Sequence, residues 1–144
     1  MFIDRRQFVR LVGGSLLALF TGHAPATRPA TRSLVLSRFF IAGFCYYRGL
    51  DLVDRLRAGD AVELRGEPTN PHDRRAIEIY WRGHKLGYVP RAENKVPGRL
   101  LAQGAPLRGH IVRVRPEGET WEMVQVRLVL PTGTFVDAGP WAAG

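Results

Sequence analysis

Short alternating runs, each cut off by glycine or proline before a helix could form, narrow the fold of this chain most. In "AVELRGE" (61–67) Val62 and Leu64 fall on one side, Glu63 and Arg65 on the other. "AIEIYW" (76–81) alternates again, turns at "RGH", and returns as "KLGYV" (85–89). A period of two puts apolar side chains on one face of a strand, so these two runs predict a β-hairpin. "LRGHIVRVR" (107–115) and "WEMVQVRLVL" (121–130), joined by "PEGET", predict a second. Upstream, "RFFIAGF" (38–44) is rich in β-formers and suits a central strand.

Helical spacing is brief. Leu50, Val53 and Leu56 in "LDLVDRLRAGD" (50–60) predict a short helix or turn, with Gly59 as its stop. "PRAENKVPGRLLAQG" (90–104) predicts one or two helical pieces, with Pro97 near a start and Gly104 at an end. About six short strands with little helix predict a mainly β fold, a small barrel or sandwich, whose closure would protect the sheet edges. At 144 residues the chain has room for one such domain, and no internal repeat is visible. Apolar residues at 45% and charged residues at 24% exclude a disordered chain as the default.

The N-terminus reads as an address. "MFIDRRQFVRLVGGSLLALFTGHAPATRPA" sets Arg5-Arg6 beside Phe8 and before a short apolar run (11–20), with Ala24-Pro25-Ala26 as an A-x-A cleavage site. The run is about half of the ~20 residues a membrane-spanning helix needs. "DRRQFVR" resembles the twin-arginine export consensus, with Asp4 where Ser or Thr is commoner. The expected organisation is a signal peptide (1–26), a linker (27–36), a barrel (37–130) and an irregular tail (131–144). That address implies a periplasmic or secreted protein with no stable membrane span in its mature form. A misassigned start codon would instead leave it cytoplasmic.

Catalytic signatures are missing. No G-x-S-x-G elbow, P-loop, H-E-x-x-H, CxxC or dinucleotide glycine fingerprint occurs. Cys45 is the single cysteine, and the four histidines (His23, His72, His84, His110) have no ligand spacing. The chain is therefore expected to be a non-enzyme with no metal and no cofactor. Its formal net charge of +8, carried almost wholly by arginine, suits an anionic partner. The charge stays positive without the signal peptide, which removes three arginines and one aspartate.

Three clusters offer a surface for such a partner. "EPTNPHDRRAI" (67–77) is more than a reversal needs: Pro68 and Pro71 each fix φ and push the preceding residue toward extended geometry. Asn70, His72 and Asp73 are thereby held before binding. An acceptor carboxylate at Asp73 suits a sugar hydroxyl, although Asn70 and Asp73 can equally cap their own backbone as an Asx-turn. "CYYRG" (45–49) places Tyr46, Tyr47 and Arg48 after the first strand, the composition of a stacking platform for single-stranded bases. "HKLGYVPR" (84–91) brings Lys85, Tyr88 and Arg91 around Gly87, where another backbone can approach closely.

Together "FIAGFCYYRG", "GDAVELRGEPTNPHDRRAIEIYW" and "GYVPRAEN" closely resemble the HIRAN domain, found at the front of fork-remodelling helicases and as stand-alone bacterial proteins. The resemblance implies an OB-like six-stranded β-barrel that binds single-stranded DNA and captures its 3′-hydroxyl end. It implies Tyr46 as the stacking aromatic, and Asn70 with Asp73 as the polar pair on the terminal nucleotide, Asp73 on the 3′-hydroxyl. His72 stands where eukaryotic end-binding members have tyrosine. Tyr88 and Arg91 fall near that pocket, with Lys85 as a phosphate contact. The helicase motor and zinc finger of large members have no counterpart in this sequence. An alternative is an exported envelope protein that uses the same barrel for a protein or an anionic glycan.

Overall fold

The computed structural model describes residues 31–133. The expected signal peptide, the proposed cleavage site and the tail beyond 133 lie outside the described residues. Six strands, β1 (Ser33–Phe40), β2 (Ala61–Gly66), β3 (Ile77–Trp81), β4 (His84–Tyr88), β5 (Arg108–Val114) and β6 (Val124–Pro131), form one antiparallel sheet in the order β1-β6-β5-β2-β3-β4. Two short α-helices, α1 (Gly49–Leu52) and α2 (Lys95–Ala102), and two single 3₁₀ turns complete the described chain.

β2 is the corner. Its first two residues, Ala61 and Val62, pair with His110 and Gly109 of β5, while Glu63, Leu64, Arg65 and Gly66 pair with β3. Its alternation falls as the sequence requires, with Val62 buried and Glu63 and Arg65 exposed as an ion pair at 2.8 Å. The β3–β4 hairpin turns on Arg82 (φ 46) and Gly83 (φ 82). Two successive positive φ values match the right-handed twist of the strands they join. Phe44, Leu56, Ile77, Ile79, Leu86, Ile111, Val126 and Leu128 fill the core that the bent sheet and α1 enclose.

Several expectations are corrected. The sheet is not closed into a barrel: β1 and β4 are its two edges. Beyond β1, Ala42 alone pairs with Tyr88, by two backbone bonds of 2.9 Å each. Gly43 then adopts φ 71 and turns the chain into the 3₁₀ turn Phe44–Tyr46, so the ladder stops after one residue pair. The segment expected as a central strand is therefore the end of an edge strand. β1 also begins at Ser33, inside the expected linker, because it pairs with β6, about a hundred positions downstream. Gly59 (φ 96) shapes the turn before β2 and does not cap α1, since the chain is already extended at Leu56. Trp121 precedes β6 and is largely exposed.

α2 follows its signals. Pro97 lies in its first turn, where its missing N–H leaves no bond unmade, and Gly104 (φ 78) ends it. Among the described residues no helix is long and apolar enough to cross a membrane, and no cluster of potential ligands would hold a metal ion.

Candidate functional site

The turn between β2 and β3 is built from its own side chains. Asn70 Oδ1 accepts the backbone N–H groups of His72 (2.9 Å) and Asp73 (3.1 Å), and Asn70 Nδ2 donates to Glu67 Oε2 (2.9 Å). Asp73 Oδ1 accepts the N–H of Arg75 at 2.9 Å, and Asp73 Oδ2 accepts Asn94 Nδ2 at 2.6 Å. The self-capping arrangement is thus the one the chain adopts. It orders the turn without consuming it, because each carboxylate oxygen has a second lone pair.

β4 braces this turn from below. Tyr88 donates its hydroxyl to Glu67 Oε2 (2.9 Å) and accepts from Lys85 Nζ (2.8 Å), which also donates to Glu78 Oε1 (2.8 Å). The Lys85 ammonium lies 4.4 Å from the Tyr47 ring centre and 4.1 Å from that of Tyr88, and the two rings meet edge-on at 5.8 Å. Burial alone would push the Lys85 ammonium down, but its bonds to Glu78 and Tyr88 outweigh burial and hold it above the usual lysine range. Lys85 therefore joins β3, β4 and the tyrosines, and its charge is committed inside the fold. The expectation of a phosphate contact at Lys85 finds no free ammonium there.

Tyr47, Asn70, His72, Asp73, Tyr88 and Arg91 line one cleft of about 300 Å³, with Ala42 and the buried Asn94 in its wall. Arg91 is 70% exposed; it donates to the His72 carbonyl, and its Nε lies 3.7 Å from Asp73 Oδ2. Six of the nine residues singled out from the sequence thus converge. Tyr46 does not line the cleft; it is 84% exposed, next in sequence to Tyr47, which does. Arg48 pairs with Asp51 at 3.1 Å, on the surface. Gly87 admits a close backbone approach as expected, and the visitor is the chain's own Ala42.

Sequence reasoning passed over Asn94. It sits just before α2 and reads as an N-cap, yet its side chain makes no cap bond to its own helix and instead reaches Asp73. Glu78 was also missed as the partner of Lys85. Both pairings depend on contacts across strands and loops that no local signal marks.

Acid should loosen the turn. The bond from the Arg75 N–H, then that from Asn94, holds the Asp73 carboxyl below its ordinary value of 3.8. Bonds from Asn70 and Tyr88 hold Glu67 below 4.5. Depressed folded values mean that this stability is fully present above those ordinary values and is lost as pH falls through the lower folded ones. The urea midpoint is therefore expected to hold from neutral pH to about 5 and then fall. Glu67→Gln should show a smaller fall, and a wild-type midpoint unchanged below pH 3.8 would contradict the assignment.

The HIRAN domain family matches residues 34–132 of the chain. A crystal structure of a Lactobacillus plantarum protein, a structural-genomics target, superposes with a TM-score of 0.60 at 27% identity, covering 69% of this chain and 95% of that one. The crystal structure of the HIRAN domain of human HLTF superposes with a TM-score of 0.52 at 17% identity, covering 68% of this chain and 78% of that one, a likeness of fold. None of the curated proteins matches this chain.

Proposed function

The chain belongs to the HIRAN domain family, and from that premise we propose that it is a non-catalytic module binding single-stranded DNA, with the 3′ end of the strand in the cleft beside Asp73. One observation carries the reading. A tyrosine edge, an imidazole, a carboxylate and an exposed guanidinium meet in one concavity on a turn that is already rigid. Preorganised groups lose little entropy on binding.

Each group has a role. Asp73 accepts a bond from the terminal sugar hydroxyl and would repel a terminal phosphate. Tyr47 and His72 flank the last base, and Tyr46, exposed next to them, stacks its neighbour. Arg91 meets the backbone phosphates, as does Arg48, next in sequence to Tyr47. Asn70 acts by holding the turn, since its amide is engaged within it. A periplasmic or secreted location remains part of the proposal, resting on residues 1–26 alone. Retention of an envelope protein or glycan in place of DNA is the competing outcome.

Binding should depend strongly on salt. Fluorescence anisotropy with a labelled single-stranded oligonucleotide is expected to show affinity falling as salt rises. Arg91→Ala should weaken binding to all sequences and reduce the magnitude of the log–log salt slope by about 0.7. Affinity indifferent to salt, or unchanged in Arg91→Ala with its melting temperature intact, would sink the reading.

A further inference from the structure

A second basic site lies elsewhere on the sheet, and it shares no residue with the cleft above. Arg38 of β1 lies directly opposite Arg127 of β6, and Arg127 directly opposite His110 of β5. All three point away from the core, because their strand neighbours Phe39, Val126, Leu128 and Ile111 are buried. Like charges facing each other across a sheet destabilise it. Nothing in the described chain offsets them: none of the three side chains makes a hydrogen bond or ion pair among the described residues. Arg127 Nε is in addition buried with no hydrogen-bond partner. A buried donor without an acceptor is rare in folded proteins and calls for an explanation.

The three side chains border a shallow groove of about 550 Å³, rimmed by Ala58 and Gly59. No carboxylate lines it, and Asp60, next in sequence, turns its carboxylate to Trp81 Nε1 at 3.1 Å. We infer that this row is a binding site for a phosphate-type oxyanion, held by the Arg127 guanidinium from the floor and by Arg38 and His110 from the sides. A phosphate group offers each of the two guanidinium groups and the imidazole an oxygen of its own, where a carboxylate has two to share among the three. Bound phosphate would also relieve the repulsion built into the row.

The test follows the His110 ring and Arg127 Nε–Hε resonances of the full chain by NMR during titration with inorganic phosphate, against chloride at equal ionic strength. Saturable shifts with phosphate and none with chloride are expected. Arg127→Gln should weaken the response on the order of tenfold, the effect of one charge-assisted bond. Arg38→Gln, at an exposed position, gives the same reading should Arg127→Gln fail to fold. A parallel titration with a single-stranded oligonucleotide identifies the source. Movement of the same resonances supports a chain phosphate, and movement with inorganic phosphate alone supports a free anion. No saturable movement with either would overturn the inference.

Discussion

Gly87→Ala is expected to cost on the order of 4–5 kcal/mol, at the upper end for a single substitution. Gly87 has φ 148, a conformation that side chains strain, and an added Cβ would lie 2.3 Å from the Ala42 carbonyl oxygen and 2.7 Å from Ile41 Cγ2. Neither neighbour can give way cheaply. Ala42 is fixed by its paired bonds to Tyr88, and Ile41 is core. These bonds, with that from the Arg48 N–H to the Lys85 carbonyl (3.2 Å), tie the chain beyond β1 to β4, so the loss reaches the turn that carries Tyr46 and Tyr47. With roughly 4–8 °C of melting temperature per kcal/mol in a domain of this size, a thermal melt should fall by about 20 °C or more. A fall of only a few degrees would mean that this approach is loose.

Asn94 is expected to show the second-largest effect. It is 2% exposed, and its amide donates to Asp73 Oδ2 at 2.6 Å. Asn94→Leu deletes that donor within the wall of the cleft and should cost about 1–3 kcal/mol. Asn94→Asp should cost more at neutral pH, because two carboxylates would then meet at the position of that bond. Its stability should recover in part as pH falls and the pair shares one proton, over a range in which the wild type holds steady. Chemical denaturation of both variants at pH 7 and pH 5 checks this. Equal losses for the two, independent of pH, would remove Asn94 as the support of Asp73.

Much of this was legible from residues near one another in the chain. The alternation in β2, the β3–β4 hairpin and the limits of α2 all rest on local periodicity and on glycine or proline at fixed offsets. The stiff turn was legible for the same reason, since Pro68, Asn70, Pro71 and Asp73 act within seven residues. That the sheet stays open was not. It hinges on Gly43 leaving the ladder after one pair and on β2 splitting its partners, choices made by distant strands. The expectation of a phosphate contact at Lys85 overlooks its partners because nothing beside it in sequence announces Glu78 and two tyrosine rings. Between the two tyrosines, only packing decides that Tyr47 faces Tyr88 and the cleft while Tyr46 faces outward.

The role given to Asp73 meets its sharpest test in two oligonucleotides of one sequence, one ending in a 3′-hydroxyl and the other in a 3′-phosphate, compared by anisotropy. The hydroxyl end should bind roughly tenfold tighter, the effect expected of one hydrogen bond to a charged group. In Asp73→Ala that preference should vanish while salt-dependent binding remains. Equal affinity of the wild-type chain for both ends would contradict the account.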